Sequence, residues 1–319
     1  MKDSTVVRKI FSRRELPLIL VVVVLIGGLT AASPYFFTSG NFTVLARQIA
    51  LALIIAIGMT FVILTSGIDL SVGSVVALTS VLVGKFIVQA KMPLLVAVFL
   101  TLLAALAIGA INGSIIAYVG LPAFVTTLGM LAMARGLALG ITGGSTISGF
   151  NDSFLRYGQG SFLHLPIPFW FALTITLISI FILTKTIFGR QIYFIGSNET
   201  AASLSGIPVK RVKIITYMIC SFLAAVSGIL ETARLSVGQP SAGNGYELVA
   251  IGAAVIGGVS LFGGVGSVLG TIFGTTLLLL IQNGLILLGV SPYWQQVFSG
   301  AIIIIAVTLN LKSGKRKSS

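Results

Sequence analysis

The chain has 319 residues, 56% of them hydrophobic and 8% charged, with 37 glycines and a mean hydropathy of +1.09. An ordinary soluble domain carries about 25% charged residues, and a soluble fold of this length has no interior large enough for so much apolar surface. Disorder needs the opposite composition, and a transmembrane barrel needs alternation in segments of about ten residues rather than continuous apolar runs. The class left is an all-α polytopic membrane protein.

In chain order, runs long enough to cross a bilayer are expected at Leu16–Phe36, Val44–Leu64, Leu70–Val88, Leu94–Tyr118 and Ala123–Ile141. Lys91-Met92-Pro93 and Gly120-Leu121-Pro122 break the pattern between them. Thr142–Leu165 is polar and rich in Gly and Ser, so it reads as a loop. Further spans are expected at Ile167–Ile187, Ile214–Leu235, Tyr246–Val259, Val265–Leu287 and Trp294–Leu309, giving about ten. The domain reading is a basic segment at 1–15, a membrane domain at 16–311 holding a loop at about 188–213, and a basic tail at 312–319. Leu70-Ser71-Val72-Gly73-Ser74-Val75 echoes Gly263-Gly264-Val265-Gly266-Ser267-Val268. The echo is either a repeat of two halves, common in transporters, or a chance match of small residues.

The net charge of +13 is a matter of topology. Fourteen of the 20 Lys and Arg fall in three polar segments: Lys2, Arg8, Lys9, Arg13 and Arg14; Lys185, Arg190, Lys210, Arg211 and Lys213; and Lys312, Lys315, Arg316 and Lys317. Basic segments stay on the cytoplasmic side, and ten spans put all three there, with both termini inside a bacterial plasma membrane. No nucleic-acid partner is expected, because the basic residues are separated by spans rather than gathered on one face. The Ser12-Arg13-Arg14 start faintly resembles an export signal, but the spans that follow favour a retained first helix. Cys220 lies within an apolar run and reads as a small core residue.

Chemistry is sparse. Gly84-Lys85 is followed by Phe86, so no phosphate-binding loop forms there. His164 is the one histidine, and neither a metal cluster nor a nucleophile triad can be assembled. No catalytic residue, metal or cofactor is expected. An ion-coupled carrier keeps ionisable groups inside its bundle, and only Asp69, with Arg135, falls near membrane depth. Asp69 is either a helix cap for the third span or, with Ser71, Gly73 and Asn112, part of a translocation pathway or gate.

The most informative polar segment is Gly189–Pro208. Asn198 is a good N-cap, Glu199 suits the first turn, Gly206 is placed to end the helix, and Pro208 follows. Ala201, Ala202 and Leu204 give this short helix an apolar surface, which fits either a partner's groove or the bundle itself.

With these residues the sequence resembles the permease subunits of bacterial ABC sugar importers. Three blocks carry the likeness: Gly58-Met59-Thr60 with Leu64–Gly73; the Gly189–Pro208 segment; and Ala233-Arg234-Leu235, Gln239-Pro240 and Gly245–Leu248 with Gly257–Gly264. The third is nearest to permeases for ribose. The resemblance implies a two-permease core, here with a second copy of the chain. A cytoplasmic ATPase subunit docks on the loop bearing Gly189, Arg190, Gly196, Asn198, Glu199, Ala201, Ala202 and Gly206. An extracytoplasmic sugar-binding protein delivers the cargo. It also implies where the phosphate loop is: on another chain. Competing expectations are another cargo in the same architecture (another sugar, a nucleoside or an autoinducer) or an ion-driven carrier working alone.

Overall fold

A computed structural model describes residues 16–315. The basic segment at 1–15, with its arginine pair, and the tail residues 316–319 lie outside the described residues. The helices are α1 (Leu16–Ala32), α2 (Ser39–Leu64), α3 (Val72–Gly84), α4 (Leu94–Ser114), α5 (Ala123–Thr142), α6 (Asp152–Gln159), α7 (Ile167–Lys185), α8 (Ile187–Ser197), α9 (Glu199–Leu204), α10 (Val209–Leu235), α11 (Tyr246–Ile256), α12 (Val268–Leu287) and α13 (Pro292–Lys315). Helices α3 and α4 each end in a wider π-turn, Lys85–Gln89 and Ile115–Val119.

The all-α polytopic reading holds: among the described residues seven helices are long and apolar enough to cross a membrane, and α1 and α11 are shorter apolar helices. From Ile49 onward helix α2 is apolar almost all round and is the axis of the bundle, as such a helix is when buried. Its side chains from Leu53 to Leu64 are all buried, and α7, α10, α11 and α12 pack on it. Helix α10 packs on α2, α3 and α4. Cys220 is fully buried there and lies against Gly58 of α2. By contrast α4, α5 and α7 bury little of themselves. Their outward faces carry Leu95, Phe99, Phe124, Leu137, Leu177 and Phe181, side chains suited to lipid or another apolar surface.

Three expected boundaries shift for physical reasons. The expected loop after α5 contains α6, which Asn151 caps and which buries Phe154. Its eight residues are too few and too polar for a hydropathy signal. Two short antiparallel pairings flank it: β1 (Ile147–Ser148) meets β4 (Val237–Gly238), and β2 (Ser161–Phe162) meets β3 (Leu165–Pro166) around His164. The basic loop at 188–213 is mostly helical, and Lys210, Arg211 and Lys213 lie in the first turns of α10 after Pro208. The expected span at Tyr246–Val259 yields only α11, 11 residues long and so about 16 Å. Both segments of the proposed echo lead into a helix, α3 and α12.

Helices α4 and α10 cross at small residues. A Cβ on Gly109 would lie 2.5 Å from the Tyr217 carbonyl oxygen, and one on Gly113 would lie 2.6 Å from Ile214 Cα. Nothing lies within 4 Å of a Cβ on Gly129. Gly109→Leu is therefore expected to cost about 1–3 kcal/mol or more by overpacking, while Gly129→Leu leaves stability near the parent. Thermal unfolding of the two variants in detergent checks this, and equal melting temperatures would contradict the packing.

Candidate functional site

The bundle is interrupted three times, and the interruptions hold its polar chemistry. Backbone left unpaired in an apolar interior costs several kcal/mol per group, so each break must be satisfied by something specific.

The first break, Thr65–Ser71, joins α2 to α3. Asp69 is fully buried. Its Oδ1 accepts the Ser71 backbone N–H at 2.9 Å and the Ser71 hydroxyl at 2.6 Å. The Asn112 side-chain amide donates to Ser71 Oγ at 3.1 Å. Thr127 Oγ1 accepts the Leu70 N–H at 3.1 Å, and the Tyr217 hydroxyl reaches the Ile68 carbonyl at 3.4 Å. Asp69, Ser71 and Asn112 are thus brought together in one buried cluster, in which Asp69 Oδ1 closes a turn onto Ser71 while Asp69 Oδ2 and Asn112 Oδ1 have no hydrogen-bond partner among the described residues. Gly73 is placed apart from them in the first turn of α3, where a Cβ would strike the Gly243 carbonyl and the Glu247 carboxylate.

The second break, Ser236–Gly245, lies between α10 and α11 and runs along α3. Arg135 of α5 holds it: Nη1 donates to the carbonyls of Pro240 at 2.8 Å and Ala242 at 2.7 Å, and Nη2 to that of Gly73 at 3.3 Å. The Gln239 N–H donates to Ser80 Oγ at 3.1 Å. The Glu247 carboxylate interacts electrostatically with Arg135. Sequence reasoning placed Arg135 near membrane depth but gave it no task. The signal available was an arginine inside an apolar run, which is costly unless it is used.

The third break, Gly257–Ser267, meets the loop segment. Ser66 Oγ donates to the carbonyl of Phe262 at 2.7 Å, with that of Gly196 at 3.2 Å. The Gly264 N–H donates to the Leu64 carbonyl at 3.0 Å. The Tyr193 hydroxyl donates to the Gly266 carbonyl at 3.0 Å, and burial pushes its phenol above the usual range, so it stays a donor. Gly196 sits where α8 touches Leu64 and Gly264, and a Cβ there would strike both.

The Gly189–Pro208 segment forms two helices. Thr186 caps α8, Asn198 caps α9, and Gly206, at φ +79°, follows its end. Helix α8 buries Gly189, Ile192, Ile195 and Gly196 against the bundle, whereas Arg190 is exposed. On α9, Ala202 is buried and Ala201 half-buried, while Leu204 is 85% exposed. Glu199 is paired with Lys213 at 2.7 Å. Helix α8 therefore lies on the bundle, and α9 rests on it through Ala202 while turning Leu204 outward. Among the described residues no cluster of His, Cys, Asp and Glu is suited to a metal.

A bundle of long apolar helices with three hydrogen-bonded breaks and an exposed, doubly capped loop is consistent with a transport permease. The sequence matches the family model for the permease component of branched-chain amino acid transport systems over residues 41–307, and the chain belongs to that family. It is 45% identical over 298 residues to the ribose import permease protein RbsC of Escherichia coli K12, covering 92% of each chain. It is 44% identical over 299 residues to RbsC of Bacillus subtilis 168, covering 92% of this chain and 90% of the relative. Identity to the D-allose transport system permease protein AlsC of E. coli K12 is 38% over 292 residues, 92% of this chain and 89% of the relative. No solved structure matches it.

The Asp69 cluster makes a prediction. Asp69→Asn keeps the Oδ1 acceptor and should stay within about 0.5 kcal/mol of the parent. Asp69→Leu strands the Ser71 N–H and should cost about 1–3 kcal/mol. Thermal unfolding separates the two. If Asp69→Asn kept its melting temperature but lost cargo uptake, the carboxylate would have a task in transit beyond capping.

Proposed function

We propose that the chain is the membrane-spanning permease subunit of an ATP-binding-cassette importer and that its cargo is a monosaccharide, ribose. The observation that carries this is collinear identity, over nine-tenths of the chain, to permeases named for ribose import from two distant bacteria. A second reading, the same architecture with another sugar, is favoured by the identity to the allose permease. An ion-driven carrier has less support, since the relatives matched at 38–45% identity are named as ribose import and allose transport-system permeases.

In this reading α1, α11 and α13 join the seven long helices to make ten crossings, with both termini and the basic loop inside. Helix α11 crosses only together with the unwound 236–245 segment, as the broken helices of transporters do. The echo between the starts of α3 and α12 belongs to the same two-half plan. The outward apolar faces of α4, α5 and α7 meet lipid and a second copy of the chain. A sugar-binding protein docks at the end of the bundle away from the basic loop. A separate ATPase subunit docks on α8 and α9, touching Arg190, Asn198, Ala201 and the tip of α9, while Gly189, Gly196 and Gly206 set the path of the backbone and Ala202 seats the helix. The pathway and gate involve Asp69, Ser71, Gly73 and Asn112, with the Asp69 cluster as the hinge between α2 and α3.

ATPase docking then reaches the membrane through the Ser66–Gly196–Phe262 junction, because α8 and α2 share it. Leu204 tests this best, since its side chain has no role in the core. In proteoliposomes holding the whole importer, Leu204→Glu should cut ATP-dependent uptake of labelled D-ribose at least tenfold, a loss of about 1.4 kcal/mol or more, with the chain still folded. Full uptake by the variant would contradict docking on α9, and absence of ribose uptake by the parent would contradict the cargo.

A further inference from the structure

A cavity of about 160 Å³ lies between α2, α10, α11, α12 and α13, and the breaks and the loop do not use it. Five polar side chains converge on it, one from each helix: Gln48, Arg234, Tyr246, Gln282 and Gln295. Aliphatic side chains of α2, α11 and α12 supply the rest of the wall. At roughly 10–15 Å³ per water-sized position, the space holds about 11–16 such positions, room for a ligand of about the size of a monosaccharide.

The polar groups are partly used: Gln282 Nε2 donates to Ser299 Oγ at 3.3 Å and Gln295 Nε2 to the Val290 carbonyl at 2.8 Å. The Tyr246 hydroxyl donates to Glu231 Oε1 at 2.6 Å, which leaves its lone pairs free to accept. Glu231 Oε2 and Arg234 Nε are buried without a hydrogen-bond partner, although Arg234 Nη2 lies 3.7 Å from Glu231 Oε1. Glu231 is only 5% exposed. Buried orphans of this kind are costly unless a ligand or ordered water completes them. Glu231 offsets the charge of Arg234 at 3.7 Å, Arg47 also acts electrostatically on Arg234, and no carboxylate among the described residues lines the cavity itself, so the wall offers hydrogen bonds chiefly from neutral groups. A sugar hydroxyl both donates and accepts, and a glutamine amide offers both partners. Three glutamines, a tyrosine and an arginine over an aliphatic wall therefore match a polyhydroxylated ring, with polar edges and C–H faces. The cavity also lies at the other end of α2 from the junction with α8: Gln48 precedes Leu64 by 16 residues, about 24 Å along the helix.

We propose that this cavity is a binding site for one neutral monosaccharide on the permease itself, read by Gln48, Gln282, Gln295, Arg234 and Tyr246, with Glu231 as a positioning residue for Tyr246 and Arg234. The proposal rests on the reading of the chain as a sugar permease. Its test is equilibrium binding of labelled D-ribose to the purified full-length chain in lipid nanodiscs, with no binding protein or ATPase present. Saturable binding is expected, weakened at least tenfold in Gln282→Leu and in Gln48→Leu. Both variants keep side-chain volume, and their folding is checked by melting temperature. No saturable binding to the folded parent, or unchanged binding in both folded variants, overturns the site. ATP-dependent ribose uptake by the whole importer is measured in parallel. Uptake without binding removes the site and leaves the permease reading intact; binding without uptake supports the site and removes ribose import as the function.

Discussion

Every backbone N–H and C=O in an apolar bundle has to be paired, and this chain unwinds three times inside its own. Several of the polar side chains with partners in the interior are where they are for that reason. Asp69, Thr127 and Tyr217 secure the first break. Arg135 and Ser80 secure the second. Ser66 and the Leu64 carbonyl secure the third. A helix that ran straight through would need none of them. The interruptions also join elements distant in sequence: α5 is tied to the 240s by Arg135, and the end of α2 to both α8 and the 260s by Ser66.

These ties make α2 the mechanical axis. It is the most buried span. One end meets the loop helices at Leu64 and Ser66, and the other carries Gln48 into the five-helix cavity. A packed interior transmits strain rather than absorbing it, so a displacement of α8 passes into α2, into the Asp69 turn and into the break held by Arg135. In the proposed function, that is the route by which ATPase docking would be linked to the cargo.

How much of this the sequence disclosed depends on the range of the interaction involved. Composition and apolar runs disclosed the membrane class and most of the long helices. The Asn198 cap, the turn at Gly206 and the break at Gly120 and Pro122 were legible because capping and turn preferences act over three or four residues. Helix α6 was hidden, since its support comes from packing of Phe154 and Gly158 rather than from a long apolar run. The shortness of α11 was hidden as well. Hydropathy runs on through Gly257 and Val259, and the unwound stretch before α11 is fixed by Arg135, over 100 residues earlier. The pairing of Glu231 with Tyr246 and Arg234 likewise became visible only once the return of the chain through the second break was known. Asp69, Ser71 and Asn112 do lie together, but the contact that joins Asn112 to the other two is set by the crossing of α4 over the first break.

The central claim is that energy for transport reaches this chain from a separate ATPase through its basic loop. The most direct measurement is purification from native membranes in mild detergent, with mass spectrometry of the co-purifying chains and their stoichiometry. The account predicts an ATPase subunit in stoichiometric amount. A chain that purifies alone and takes up sugar in vesicles only under an ion gradient would contradict it.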